Sequence, residues 1–215
     1  MGAVTDRAGP ALRSCFAPTE DSPPPGAKNI RMDQYIELEE VLLTSEQIFR
    51  GKILRLVVDT VRLPDGREAT REVIHHNGAV GLVPLTADGQ VLLVRQWRHA
   101  TRRAMLEIPA GAISHGETAE ACAARELAEE TGFVGRRLDE LTVLYTAPGY
   151  VGEAITIYLA RDLQPEEAVG DEDENLQVVP VGLDEALARC ISGEICDGKS
   201  IAALMLAREF LCREA

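Results

Sequence analysis

The chain has 215 residues, an apolar fraction of 46% and a net charge of −13. That length suits one domain of ordinary size with a small added unit, and the acidic balance excludes nucleic-acid binding that relies on Lys and Arg against phosphate. No apolar run reaches the roughly 20 residues of a membrane helix, so no membrane partner is expected, and a secretory signal is not expected because the N-terminal stretch lacks a basic segment followed by an apolar core.

The five cysteines are odd in number and contain no CxxC pair. They read as thiols of a cytoplasmic protein, not as a disulfide framework or a zinc site. Residues 1–33 carry Pro10, Pro18 and the run Pro23-Pro24-Pro25 with little periodic apolarity. They are expected to form a flexible tail, and Met32 offers an alternative start of translation. From 34 to 77 the pattern is that of strands. Val41, Leu43, Ile48 and Phe49 mark the first and Ile53 to Leu63 the second; Asp65-Gly66 is a hairpin turn signal, and Ala69 to His75 returns. A small antiparallel sheet is expected here.

Ala79 to Leu85 reads as a buried strand, and Val91 to Trp97 comes back after Ala87-Asp88-Gly89. Arg95 and Arg98 end that strand as a surface pair or as bidentate phosphate clamps. Pro109 then fixes the approach to the stretch Gly111–Phe133. Within it, Thr118 to Thr131 has high helix propensity. Thr118 or Ser114 suits the N-terminus, and Gly132 suits the left-handed position past the C-terminus. On a helical wheel Ala121, Ala124, Leu127, Ala128 and Thr131 share one face, and Glu126, Glu129 and Glu130 fall opposite. Clustered carboxylates of this kind form either a solvated acidic face or a ligand set for a hard divalent cation. Further strands are expected over Leu138–Thr146, Glu153–Leu159 and Leu176–Val181, with a turn at Ala147-Pro148-Gly149-Tyr150 and an acidic loop at Gly170–Asn175. Leu183–Ile191 and Lys199–Leu211 close the chain as helices. Helices and strands interleave without strict βα alternation, which predicts an α/β sandwich around a mixed sheet.

The spacing Gly111-x5-Glu117-x7-Arg125-Glu126-Leu127-x-Glu129-Glu130-x-Gly132-Phe133 resembles the Nudix box of the Nudix hydrolases at every defined position. The resemblance implies the Nudix α/β/α sandwich over residues 78–215, with residues 34–77 as a segment through which two subunits pair into a homodimer. It also implies hydrolysis of a nucleoside diphosphate linked to another group. Outside the box, Arg71-Glu72-Val73, Glu107-Ile108-Pro109-Ala110, Ala147-Pro148-Gly149 with Glu153, and Asp197-Gly198-Lys199-Ser200 resemble the ADP-ribose pyrophosphatase branch. Ala147 departs from that branch's serine. Tyr150, by contrast, is similar in position to a tyrosine of the dinucleoside-polyphosphate hydrolases.

The resemblance assigns Glu126, Glu129, Glu130 and Glu174 and the carbonyl of Ala110 as ligands of Mg²⁺, with Mn²⁺ as the alternative. It assigns Glu172 as general base, with Arg125 and Glu129 as further catalytic residues, and Arg71, Glu72, Arg98, Pro148, Gly149 and Glu153 as substrate contacts. The implied reaction is Mg²⁺-dependent hydrolysis of ADP-ribose to AMP and ribose 5-phosphate. The alternatives are another nucleoside diphosphate sugar or a dinucleotide as substrate, or a non-catalytic sensor on the same scaffold. Cys122 is expected as a small buried side chain, and the four histidines show no metal spacing.

Overall fold

The computed structural model describes residues 36–166 and 175–214. The expected N-terminal tail lies outside them. The first sheet is three-stranded, antiparallel and in the order β1 (Val41–Arg50), β2 (Arg55–Arg62), β3 (Glu68–His75). Asp65 makes the predicted hairpin turn, accepting from the Arg67 backbone N–H at 3.0 Å, while Gly66 takes the positive φ that the turn requires. The far end of β3 is sewn to a later loop. Ile74 donates its N–H to Tyr150 O at 2.8 Å, and Gly152 donates to Ile74 O at 3.0 Å.

The main body carries two more sheets. β4 (Ala79–Pro84) lies in a four-stranded mixed sheet, order β7 (Ala110–Ala112), β4, β9 (Ala154–Pro165), β8 (Phe133–Tyr145). The β4–β9 pair is parallel and the others antiparallel. A three-stranded antiparallel sheet orders β10 (Leu176–Gly182), β5 (Gln90–Arg98) and β6 (Arg103–Glu107). All six residues of β4 are buried, as expected of a central strand covered on both faces. Its alternate side chains divide the core. Val80 and Leu82 face α1 (Ala119–Thr131) with Cys122, Ala123, Leu127, Tyr158 and Ala160. Ala79 and Val83 face the other sheet and the helices α2 (Leu183–Ser192) and α3 (Gly198–Glu214). The result is the mixed-sheet α/β/α sandwich that the sequence predicts, with a separate small sheet ahead of it.

Two expectations change. The strand after α1 begins at Phe133, not near Leu138. Phe133 to Gly135 are poor in local strand signal, but their backbone pairs with β9 from Pro165 to Leu163, and pairing overrides propensity. The face of α1 is also corrected. Cys122, Ala123, Glu126, Leu127, Glu130 and Thr131 are buried, whereas Ala121 and Ala124 are exposed. Alanine offers too little apolar area to choose a face. Leu127, whose burial contributes about 1.5–3 kcal/mol, chooses it instead, and Glu126 and Glu130 turn inward with it.

Candidate functional site

The capping of α1 follows from its sequence. Thr118 accepts from the Ala121 backbone N–H at 3.2 Å, and Gly132 takes a left-handed conformation and donates to Ala128 O. Ahead of the helix, β7 runs alongside it. Glu130 accepts from the Ala110 N–H through Oε2 at 3.1 Å. Glu126 occupies the space beside Gly111; a Cβ on that residue would lie 1.9 Å from the Glu126 carboxyl carbon and from Oε1. Gly111 is therefore required at this position because a carboxylate fills the place of its side chain.

Arg125 organises the acidic face. It donates through Nε to Glu117 Oε1 at 2.9 Å, and through Nη1 to Glu126 Oε1 at 2.7 Å and Glu129 Oε2 at 2.9 Å. The mutual repulsion of these carboxylates is offset by one guanidinium. Glu117 also accepts from the Ser114 N–H at 2.9 Å. Its carboxyl pKa falls to about 2, chiefly through the hydrogen bonds from Arg125 and then from Ser114. Cys122, buried beside Glu117 and Glu126, is pushed up to about 12, first by burial. It is an inert thiol at neutral pH.

β7 also borders a cleft of about 720 Å³. Ala110, Gly111 and Ala112 form one wall, Arg98, Glu107, Asp197 and Lys199 another, and His76, Thr146 and Glu153 a third. Glu107 is 1% exposed and sits between two cations. Arg98 binds it in bidentate fashion through Nε and Nη2 at 2.9 and 2.8 Å, and Lys199 adds a third bond. Burial raises the Glu107 pKa, but the hydrogen bonds and charges of Arg98 and Lys199 outweigh it and the net shift is downward. Asp197 accepts from Lys199 Nζ at 2.9 Å and from the Ser200 N–H at 3.0 Å, so it caps α3 while it holds the lysine. On the third wall Thr146 donates to Glu153 Oε2 at 2.9 Å, and His76 Nδ1 lies 3.5 Å from Glu153 Oε1.

A stability prediction arises from Glu107. Its carboxyl is lowered in the folded chain, so its contribution is complete above the ordinary value of 4.5 and is lost as pH falls through the folded value. The melting-temperature difference between the parent and Glu107→Gln is expected to be largest above pH 5 and to shrink in acid; a difference that grows in acid would refute this.

Of the residues singled out in the sequence, the structure brings Ala110, Arg98 and Glu153 onto the cleft, sets Glu130 on the Ala110 N–H and Glu126 beside Gly111, and ties Glu129 to Arg125. It leaves Arg71 outside, paired with Glu40. Glu72 is exposed on β3, and Pro148 and Gly149 are exposed beyond the cleft wall. Glu172 and Glu174 lie outside the described residues. His76, Thr146, Glu107 and Lys199 were not predicted as site residues. Lys199 and Glu107 lay inside stretches that resemble the ADP-ribose pyrophosphatase branch, but neither was assigned a role there. Nothing in the sequence marked His76 or Thr146.

The donors around β7 suit a hard divalent ion, since all are carboxylate or carbonyl oxygens and Gly111 leaves the Glu126 carboxylate room. Among the described residues, no three acidic, histidine or cysteine side chains are gathered as a ready ligand set; Arg125 takes up two of the glutamates instead.

Residues 75–202 match the family model described as NUDIX domain. Residues 40–74 match the nucleoside diphosphate sugar hydrolase N-terminal domain. The chain is 40% identical over 169 residues to the ADP-ribose pyrophosphatase of Bacillus subtilis (strain 168), covering 78% of this chain and 91% of that one. It is 35% identical over 172 residues to the ADP compounds hydrolase NudE of Escherichia coli (strain K12), covering 79% and 92%. A crystal structure of an ADP compounds hydrolase superposes with a TM-score of 0.75 at 29% identity, covering 83% of this chain and 97% of that one.

Proposed function

The chain belongs to the Nudix family of hydrolases, and from that premise we propose that it cleaves the pyrophosphate bond of ADP-ribose with Mg²⁺, giving AMP and ribose 5-phosphate. The observation that carries the reading is that β7, which Glu126 and Glu130 of α1 touch, also lines the cleft that holds Arg98 and Lys199. The similarity to an ADP-ribose pyrophosphatase over 91% of that protein supports the choice of substrate.

In this reading Glu126 and Glu130, aided by Glu129 and the Ala110 carbonyl, hold the ion. A divalent ion bound there neutralises charge on the pyrophosphate and lowers the pKa of an attacking water. The all-oxygen donor set suits Mg²⁺, and Mn²⁺ is the alternative that the same donors accept. Glu117 keeps Arg125 in place through Nε and Nη2, and Arg125 in turn orients Glu126 and Glu129 through Nη1. Glu107 clamps Arg98 by two nitrogens and leaves Nη1 for a phosphate oxygen. Lys199, fixed by Asp197 and Glu107, supplies a second cation. Glu153, steadied by Thr146, presents a carboxylate suited to sugar hydroxyls. Glu172 as base and Glu174 as a further ligand are supported by the family resemblance alone. Arg71, Glu72, Pro148 and Gly149 are proposed to contact substrate from a loop and a subunit partner that approach the cleft in a homodimer. The exposed Val41, Leu42, Ile48 and Phe49 of β1 supply apolar surface for that pairing. The free cysteines are consistent with a cytoplasmic setting, and no helix among the described residues is long and apolar enough to cross a membrane.

A second reading, another nucleoside diphosphate sugar as substrate, is favoured by the N-terminal match over residues 40–74. Chromatographic assays of the nucleotide products from ADP-ribose, GDP-mannose, NADH and diadenosine polyphosphates, with and without Mg²⁺, test both. ADP-ribose is expected to turn over fastest, and only with the metal. Faster turnover of GDP-mannose would select the second reading; no metal-dependent turnover on any of them would overturn both.

A further inference from the structure

Among the described residues the cations nearest the proposed active site are paired: Arg71 with Glu40, Arg98 and Lys199 with Glu107, Arg125 with three glutamates. Arg50, Lys52 and Arg55 form no ion pair among the described residues, and all three line one second cleft of about 730 Å³. That cleft lies between the β1–β2 turn, the end of β3 and the loop at Gly152. Its other polar walls are Gln47, His75, His76 and Asn77, and no carboxylate lines it. His75 is held below its ordinary value, by burial first and by the charge of Arg55 second, with Asp59 acting against them. It therefore offers a neutral hydrogen-bonding ring at pH 7, and Asp59 does not line the cleft.

We infer that the cleft bounded by Arg50, Lys52, Arg55 and His75 binds a phosphorylated small molecule, separately from the cleft beside α1. Three gathered cations repel one another, and a compact phosphoryl dianion relieves that repulsion with charge-assisted, bidentate hydrogen bonds from the arginines. The volume falls in the range of small-ligand clefts. A polyanion such as nucleic acid is disfavoured because the chain as a whole carries −13. His76 lines both clefts, so an occupant here shares a wall with the proposed active site. The inference stands on geometry and charge alone and does not require the hydrolase reading.

The test titrates the full chain, in EDTA, with inorganic phosphate, ribose 5-phosphate and AMP. Calorimetry measures affinity, and backbone amide resonances of Gly51, Gly78 and Gly152 report location. All three ligands are expected to bind and to shift those amides. Lys52→Ala/Arg55→Ala is expected to weaken binding about tenfold or more, whereas Arg98→Ala, on the other cleft, leaves the shifts in place. The substituted side chains point to solvent or to the cleft, and circular dichroism checks that the variants fold; the single Lys52→Glu change gives an independent second variant. Binding of AMP alone would place recognition in the nucleoside and overturn the proposal. So would absence of shifts, shifts abolished only by Arg98→Ala, or a Lys52/Arg55 variant that changes sedimentation but not phosphate affinity, which would assign these cations to a subunit contact.

Discussion

Glu130→Gln is expected to lower turnover by about 10²–10³-fold, the loss seen when one preorganised electrostatic partner of the reacting charge is removed, while the chain keeps its fold. The side chain is 4% exposed, on the buried face of α1. A buried carboxylate is unfavourable unless hydrogen-bonded, and Oε2 takes the Ala110 N–H at 3.1 Å. Glutamine keeps the shape and can still accept that bond through its amide oxygen. What it loses is the negative charge, and with it the strongest donor the site offers to a cation. The loss should therefore appear in kcat and in metal affinity, and raising substrate should not restore it. Steady-state kinetics over a Mg²⁺ titration, beside a thermal melt, measure both. A variant with both parental turnover and parental Mg²⁺ affinity would remove Glu130 from the metal site.

Gly111→Ala separates position from charge at the same place. Gly111 has no positive φ, so alanine costs little in backbone strain. Its new methyl would sit 1.9 Å from the Glu126 carboxyl carbon, and the end of the Glu126 side chain must move. A side-chain rotation is inexpensive for folding, so the melting temperature should change little. The carboxylate, however, leaves its place by more than an ångström, and a misplacement of that order costs about 10²-fold in rate. Turnover is expected to fall by about that factor, with weaker Mn²⁺ binding measured by calorimetry. Parental activity together with parental Mn²⁺ affinity would show that Glu126 does not act from this position.

The two variants also mark how far the sequence reached. Residue spacing alone located Glu126, Glu129 and Glu130 on one helix, and its caps Thr118 and Gly132, because helix periodicity and capping are local properties. The wheel nonetheless turned the helix the wrong way. Alanines were counted as apolar, although the buried face was chosen by Leu127 and Cys122 against Val80, Leu82 and Tyr158, residues far apart in sequence. Arg98 was legible as a strand-end arginine, but its partners Glu107 and Lys199 come from β6 and the start of α3 and meet only when the core closes. His76 and Thr146 gave no signal at all. Each gains its place by standing near Glu153 across a loop.

Composition and local spacing by themselves determined the chemistry that this chain can offer: an α/β layout, oxygen donors on a helix, and arginines at a strand end. Such features depend on neighbours within a few turns of chain, which the sequence displays directly. Tertiary structure alone decided which side of α1 is buried, that Gly111 must lack a side chain because Glu126 fills its place, and that Arg50, Lys52 and Arg55 share one cleft without a carboxylate among them. Those are outcomes of packing between distant segments, where area, volume and charge are settled jointly and no single stretch carries the answer.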